Sequence, residues 1–261
     1  MNNNAYECLN LDGEAPLLLI CDHASNRVPP ELDNLGLTLE QLNQHIGWDI
    51  GAADIARALS RLMDAPAVLC STSRLVIDVN RAPGDASRIP QISDQIVIPG
   101  NQNLTEADKI GRAEKYFCPY HHAIAETLTY LRRPGEPSRN IPAIFSIHTF
   151  TPSMPSKNGS KRPWHAGVLW NRDPRIAEPL IRLLQNHSDN LIIADNEPYS
   201  GKEIYYSVDC HASSSGFPHC AIEVRQDLVE TLEGAFYWAK IIAEILKNIL
   251  ATPELNQIKY Y

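Results

Sequence analysis

Short apolar runs alternate with longer amphipathic segments along the chain. Runs of four to eight apolar residues predict buried strands, and apolar residues recurring every three to four positions predict helices that pack on a core. By these patterns, strands are predicted at 16–21, 67–70, 75–79, 143–148, 167–171, 191–195 and 220–225. Helices are predicted at 50–63, 105–131, 174–187 and 227–250.

The alternation of strands and helices is typical of an α/β fold with a mixed, mostly parallel sheet and helices on both faces. Three polar stretches rich in proline and glycine lie between the elements, at 82–104, 151–165 and 196–218. Each follows a predicted strand, so we expect the three loops to form the rim of one pocket. Neither an internal repeat nor a shift in composition marks a boundary, which predicts a single domain over residues 1–261.

Composition and charge exclude several classes of protein. The 261 residues carry a formal net charge of −8, which argues against a nucleic-acid or anionic-membrane binder. No apolar run reaches the roughly 20 residues that span a bilayer, and the first residues do not resemble a secretory signal. The six cysteines form no CxxC pair and indicate reduced thiols. We therefore expect a cytoplasmic protein, and the sequence leaves its oligomeric state open.

Polar, metal-binding residue types stand at or near the ends of three apolar runs. His23 follows the first strand, His148 ends the run 143–148, and Glu223 lies within the last strand. Because ligands bind at the carboxyl ends of strands in open α/β sheets, we expect these three side chains to converge. Two imidazoles and a carboxylate are typical ligands of a catalytic zinc ion, which keeps one position open for water. The pattern therefore predicts a metal-dependent hydrolase.

The third zinc ligand is open between two residues of the segment HIGWDIGA. Asp49 is the better candidate and His45 is the alternative, although Asp49 would also suit the N-cap of the following helix. Asp22 stands beside His23, and we expect its carboxylate to orient that imidazole, as is common for histidine ligands.

The glutamate inside the last apolar run is costly to bury unless it is paired or used. Glu223 is therefore predicted to be the general base, with a pKa raised by burial; an ion pair with Arg225 is the structural alternative. His219, in the segment GFPHC, is expected to help stabilise the oxyanion. A structural zinc site in that region is disfavoured, because it lacks CxxC spacing.

Arginines cluster near the same strand ends, and guanidinium groups bind carboxylates in a bidentate fork. Asp78 and Asn80 lie close to Arg81 in the sequence, and we expect them to hold the arginine side chains in place. The residues expected to bind an acidic substrate are Arg74, Arg81, Arg225 and Asn80.

Six segments together resemble the N-formylglutamate amidohydrolase family, in matching order from about residue 16 to 249. They are CDHASNRVP, RLVIDVNRAPGD, SIHTFTP, GVLWNRDP, DNEPYSG and GFPHCAIEVRQDL. The resemblance implies an α/β fold related to zinc carboxypeptidases and aspartoacylases, and hydrolysis of N-formyl-L-glutamate. It also implies that His23 and His148 bind Zn²⁺, that Glu223 is the catalytic carboxylate and that Arg81 contacts the substrate carboxylate.

The sequence thus predicts a zinc hydrolase that cleaves the amide of a small anionic N-acyl amino acid. Two alternatives remain open. One is a zinc amidase that acts on a peptide or cell-wall fragment, with the long loops accommodating the larger substrate. The other is a catalytically silent binding module that keeps the fold and the pocket.

Overall fold

The computed structural model describes residues 5–132, 141–154, 159–188 and 190–261. The strands in this part of the chain are β1 (Tyr6–Leu9), β2 (Leu17–Cys21), β3 (Ala67–Cys70), β4 (Ile92–Ser93), β5 (Ile96–Val97), β6 (Ala143–Phe150), β7 (Ser153–Met154), β8 (Ser160–Lys161), β9 (Ala166–Leu169), β10 (Ile193–Asp195) and β11 (His219–Arg225). The α-helices are α1 (Leu39–Leu42), α2 (Ala52–Met63), α3 (Glu106–Arg112), α4 (Cys118–Leu131), α5 (Pro174–His187), α6 (Tyr206–His211) and α7 (Leu232–Leu250).

Seven of the described strands form one central sheet in the order β1-β3-β2-β6-β11-β9-β10. The four strands β3, β2, β6 and β11 are mutually parallel. At one edge β1 runs antiparallel to β3, and at the other β9 and β10 run antiparallel to β11. The predicted mixed, mostly parallel sheet is therefore confirmed.

Helices cover both faces of the sheet, as predicted. Side chains alternate along each strand, so Leu17 and Leu19 of β2 pack with α2, α5 and α7, whereas Leu18 and Ile20 pack with α4 on the opposite face. The strands in the centre of the sheet are buried on both faces, which is why they read as continuous apolar runs. None of the helices in the described ranges is long and apolar enough to cross a membrane.

The prediction of a strand at 75–79 is wrong. The apolar residues Leu75, Val76 and Ile77 are buried, as the pattern indicates, but the backbone forms turns. The Val76 N–H donates to the Ser73 carbonyl over 2.9 Å, and the Asp78 N–H donates to the Arg88 carbonyl over 2.7 Å. An apolar run shows that a segment is buried, and it does not show where the backbone hydrogen bonds go.

Two predicted helices have different boundaries or internal geometry in the structure. The stretch 105–131 begins at the predicted N-cap, Thr105, and continues through a π-helical turn at Ala113–Phe117. The closing helix begins at Leu232 rather than near 227, because Thr231 supplies its N-cap.

Candidate active site

The three predicted zinc ligands lie together at the carboxyl end of the parallel strands. His23 follows β2, Asp49 precedes α2, and His148 lies near the end of β6. All three are buried, and one ligand atom from each lies within 4.8 Å of the other two. The Nδ1 atoms of His23 and His148 lie 3.4 and 2.9 Å from Asp49 Oδ2. The other oxygen of Asp49 pairs with Arg74.

A second carboxylate contacts the far side of each imidazole. His23 Nε2 lies 2.8 Å from Asp78 Oδ1, and His148 Nε2 lies 3.2 Å from Asp22 Oδ2. This differs from the expectation that Asp22 orients His23, which comes next in the sequence. Asp22 instead accepts a 2.9 Å hydrogen bond from the Tyr120 hydroxyl. Nδ1 of each imidazole faces Asp49, while Nε2 faces the outer carboxylate and, in His148, also the Ser146 hydroxyl at 3.0 Å. A neutral ring that donates its Nε2–H to the outer carboxylate leaves Nδ1 free to bind a metal.

The donor set fits a zinc ion. Two imidazole nitrogens and a carboxylate oxygen are ligands that zinc accepts, and each imidazole has the outer carboxylate that metal-bound histidines usually have. The charges of the residues around the two imidazoles also favour a bound cation. Burial lowers the pKa of His148, but hydrogen bonds to Asp22 and Asp49 outweigh it and raise that pKa well above its usual value. The negative charge around the two rings therefore favours an added positive charge, which a proton or a metal cation supplies.

Glu223 lies beside this cluster. It is paired in register with His148 across the parallel strands β11 and β6. Its Oε2 atom is buried and makes no hydrogen bond to any of the described residues. Burial is the largest influence on its pKa; the charge of His148 opposes the increase and that of Asp49 adds to it, so that the pKa is about 7. A carboxylate with this pKa can accept a proton and return it near neutral pH.

These residues line a cavity of about 140 Å³. Of the predicted substrate-binding residues, Arg74, Arg81 and Asn80 line it as well. Arg81 Nε lies 3.8 Å from Asp78 Oδ2 and makes no hydrogen bond within the described chain. The side-chain oxygen of Asn80 accepts a 3.0 Å hydrogen bond from the Ser207 N–H, so Asn80 also fixes the cavity wall.

Two of the three polar stretches predicted to form a rim contribute described residues to the lining of this cavity. Thr151 lines it from the stretch 151–165, and Tyr199 and Tyr205 line it from the stretch 196–218, which is not wholly a loop as predicted because it contains α6. The loop 82–104 contributes indirectly, because Asp94 Oδ2 lies 3.1 Å from Nε2 of the cavity residue His45.

Two of the predicted site residues do not reach the cavity. His219 begins β11, four residues before Glu223, and this spacing separates them by roughly 13 Å along the strand. Its ring lies in another cavity, with Nδ1 donating over 2.7 Å to the Phe217 carbonyl. Arg225 turns away to Asp227, at 2.7 Å from Oδ1, and also donates to the Trp164 carbonyl. The structure therefore gives His219 no place for contact with an oxyanion in this cavity, and Arg225 none for contact with a substrate carboxylate.

Sequence reasoning missed two features of the cavity. Tyr199 stands in an irregular loop, where an aromatic residue gives no periodic signal. The contact between Asp78 and His23 joins residues 55 positions apart, and no local spacing predicts it. The sequence predicts that Asp78 holds the nearby arginines but not that it reaches His23, and Tyr199 lies in the segment DNEPYSG, which resembles the family.

A buried histidine–aspartate–histidine cluster lies at the carboxyl ends of parallel strands, beside a glutamate whose Oε2 atom has no hydrogen-bond partner among the described residues. These features are those of an α/β protein with a hydrolase-type site. The profile of the N-formylglutamate amidohydrolase family matches residues 15–230, and the chain therefore belongs to that family. Family membership supports an amidohydrolase activity.

Solved structures share the fold of this chain. The chain is similar to the gene product Atu2144 from Agrobacterium tumefaciens, with 30% sequence identity, a TM-score of 0.89 and coverage of 96% of both chains. It also shares its fold with an N-formylglutamate amidohydrolase from Ralstonia eutropha JMP134, at 20% identity and a TM-score of 0.64, over 94% of this chain and 97% of that one. No functionally curated protein matches the sequence.

Proposed function

We propose that this protein uses a zinc ion to hydrolyse the amide bond of a small N-acyl acidic amino acid, such as N-formylglutamate. The observation that carries the proposal is the position of Glu223 beside His23, Asp49 and His148 in a cavity that also holds Arg81. Membership of the N-formylglutamate amidohydrolase family supports the same reaction.

In the proposed mechanism, His23, Asp49 and His148 would hold the zinc ion, and Glu223 moves the proton. When bound, zinc supplies Lewis-acid chemistry, which polarises a carbonyl and lowers the pKa of water to about 7. Glu223 takes a proton from the attacking water and passes it to the leaving nitrogen. A pKa near neutrality suits both steps, because the same group must act first as base and then as acid.

The size of the cavity and the guanidinium group of Arg81 support a small anionic substrate. Its volume of about 140 Å³ is below the roughly 300–1,000 Å³ of pockets for drug-sized ligands, which favours an acyl amino acid over a peptide or cell-wall fragment. The guanidinium group of Arg74 is paired with Asp49, whereas the ion pair of Arg81 with a described residue is the longer, 3.8 Å contact with Asp78. Arg81 is therefore the proposed partner of a substrate carboxylate.

The test is the activity of zinc-loaded protein on N-formyl-L-glutamate and on N-formyl-L-glutamine, which has nearly the same shape and one charge fewer. We expect kcat/KM to be higher for the glutamate. The Glu223→Gln variant should keep its zinc, and its kcat should fall by a factor of about 10²–10⁴. Wild-type kcat in that variant would contradict the mechanism, and tight binding without turnover in the wild type would favour a silent binding module.

A further inference from the structure

Asp78 contacts two parts of the site that have different proposed roles. Its Oδ1 atom lies 2.8 Å from Nε2 of His23, a proposed zinc ligand. Its Oδ2 atom lies 3.8 Å from Nε of Arg81, the proposed substrate-binding residue. Only 10% of the Asp78 side chain is exposed, so water screens these charges weakly. One carboxylate therefore lies between the metal cluster and the guanidinium group.

The backbone around Asp78 fixes its position. Its N–H donates to the Arg88 carbonyl over 2.7 Å, and its Oδ1 atom also accepts a 2.8 Å hydrogen bond from the Asn80 N–H. The Arg81 N–H returns to the Asp78 carbonyl over 3.3 Å. The carboxylate and Arg81 thus belong to one hydrogen-bonded turn, and His23 comes to it from another part of the chain.

Asp22 provides an internal comparison. It occupies the same position relative to His148, with Oδ2 3.2 Å from Nε2, and its side chain is fully buried. The partner of its second oxygen differs, because Oδ1 accepts a hydrogen bond from the hydroxyl of Tyr120. Within the described residues Asp22 pairs with no arginine. Both carboxylates therefore contact a proposed zinc ligand, but among the described residues only Asp78 also pairs with an arginine.

We propose that Asp78 is a positioning residue that couples substrate binding to the metal ligand His23: one oxygen hydrogen-bonds the imidazole at 2.8 Å, and the other attracts the Arg81 guanidinium electrostatically across 3.8 Å. Asp22 serves only the metal side. The inference rests on the proposed function, because it takes His23 as a zinc ligand and Arg81 as the substrate contact. A substrate carboxylate that binds Arg81 changes the net charge beside Asp78. Through Asp78, it thereby changes the electrostatic environment of His23.

The experiment compares Asp78→Asn with Asp22→Asn, which are matched changes that keep the shape and remove one charge. Zinc affinity is measured by competition with a chromophoric chelator. Binding of N-formyl-L-glutamate is measured by calorimetry at saturating zinc, with Glu223→Gln in every protein to prevent turnover. We expect both variants to lose about 10–100-fold in zinc affinity. Only Asp78→Asn should also weaken ligand binding, by at least about tenfold.

A third variant tests the role of Arg81. Arg81→Gln should weaken binding of N-formyl-L-glutamate and leave zinc affinity within about twofold of the wild type, because Arg81 does not contact His23, Asp49 or His148. Unchanged zinc affinity in Asp78→Asn, or equal ligand affinity in Asp78→Asn and Asp22→Asn, would overturn the inference while leaving the proposed function intact. Wild-type protein that binds no zinc would overturn the proposed function, and the coupling with it.

Discussion

The buried carboxylate of Glu223 should reduce the stability of the folded protein. Its pKa rises from an ordinary value of 4.5 to about 7, mainly because burial disfavours the charged form. At about 1.4 kcal/mol for each pKa unit, ionising this group costs the folded state about 3 kcal/mol. Glu223→Gln removes the charge and introduces an amide without its full set of partners, at a cost of about 1 kcal/mol. The metal-free variant should therefore be more stable than the wild type by about 2 kcal/mol at pH 8.

The sign of the pH dependence follows from the same pKa. Below about pH 4.5 the carboxyl is protonated in both the folded and the unfolded protein, so its ionisation costs nothing. Between pH 4.5 and pH 7 the unfolded chain releases its proton first, and the wild type loses stability relative to the variant. The advantage of Glu223→Gln should thus be near zero at pH 5 and complete at pH 8.

The assay is urea or thermal unfolding of chelator-treated protein at pH 5 and pH 8. An advantage of 2 kcal/mol corresponds to an increase in Tm of about 4–8 °C for a chain near this size. Glu244→Gln, on the exposed face of α7, is the matched control and should change the stability by less than about 0.5 kcal/mol. A variant no more stable than the wild type at pH 8, or an advantage that is equal at both pH values, would refute the reasoning.

Further predictions concern packing around the site. Tyr120→Phe removes the hydroxyl that donates to Asp22 and should cost about 1–3 kcal/mol in urea unfolding, whereas an unchanged midpoint would show that the bond contributes nothing. Gly167→Ala in β9 should cost at least about 3 kcal/mol, because its Cβ would overlap the carbonyl oxygen of Glu197. The control Gly111→Ala, in an open position of α3, should raise the stability by up to about 1 kcal/mol; thermal unfolding in which both alanine variants behave alike would contradict this account.

The sequence predicts the part of the site that stands on the central strands. β6 and β11 are buried on both faces, so their apolar runs identify them and place His148 and Glu223 near the functional edge of the sheet. The direct pairing of His148 with Glu223 depends on β6 and β11 being neighbours in the sheet, and no local sequence pattern predicts the strand order. The antiparallel direction of β9 is hidden for the same reason, since a strand buried on both faces has the same composition in either direction.

The rest of the site depends on long-range contacts. Leu75, Val76 and Ile77 are as apolar as a strand, yet their segment folds as a turn that brings Asp78 to His23. The residue type of His219 predicts a role in the reaction, but His219 lies at the amino end of β11, away from the carboxyl end that carries the cavity. In both cases the residue type is informative, and the position is set by tertiary structure.

The most direct test of the account is the zinc content of protein purified without chelators, compared with that of His148→Ala. The central claim is that His23, Asp49 and His148 form a zinc site, so we predict about one zinc ion per chain in the wild type and little or none in the variant. Wild-type protein that stays metal-free after zinc is supplied, or a variant that keeps a full equivalent, would contradict it.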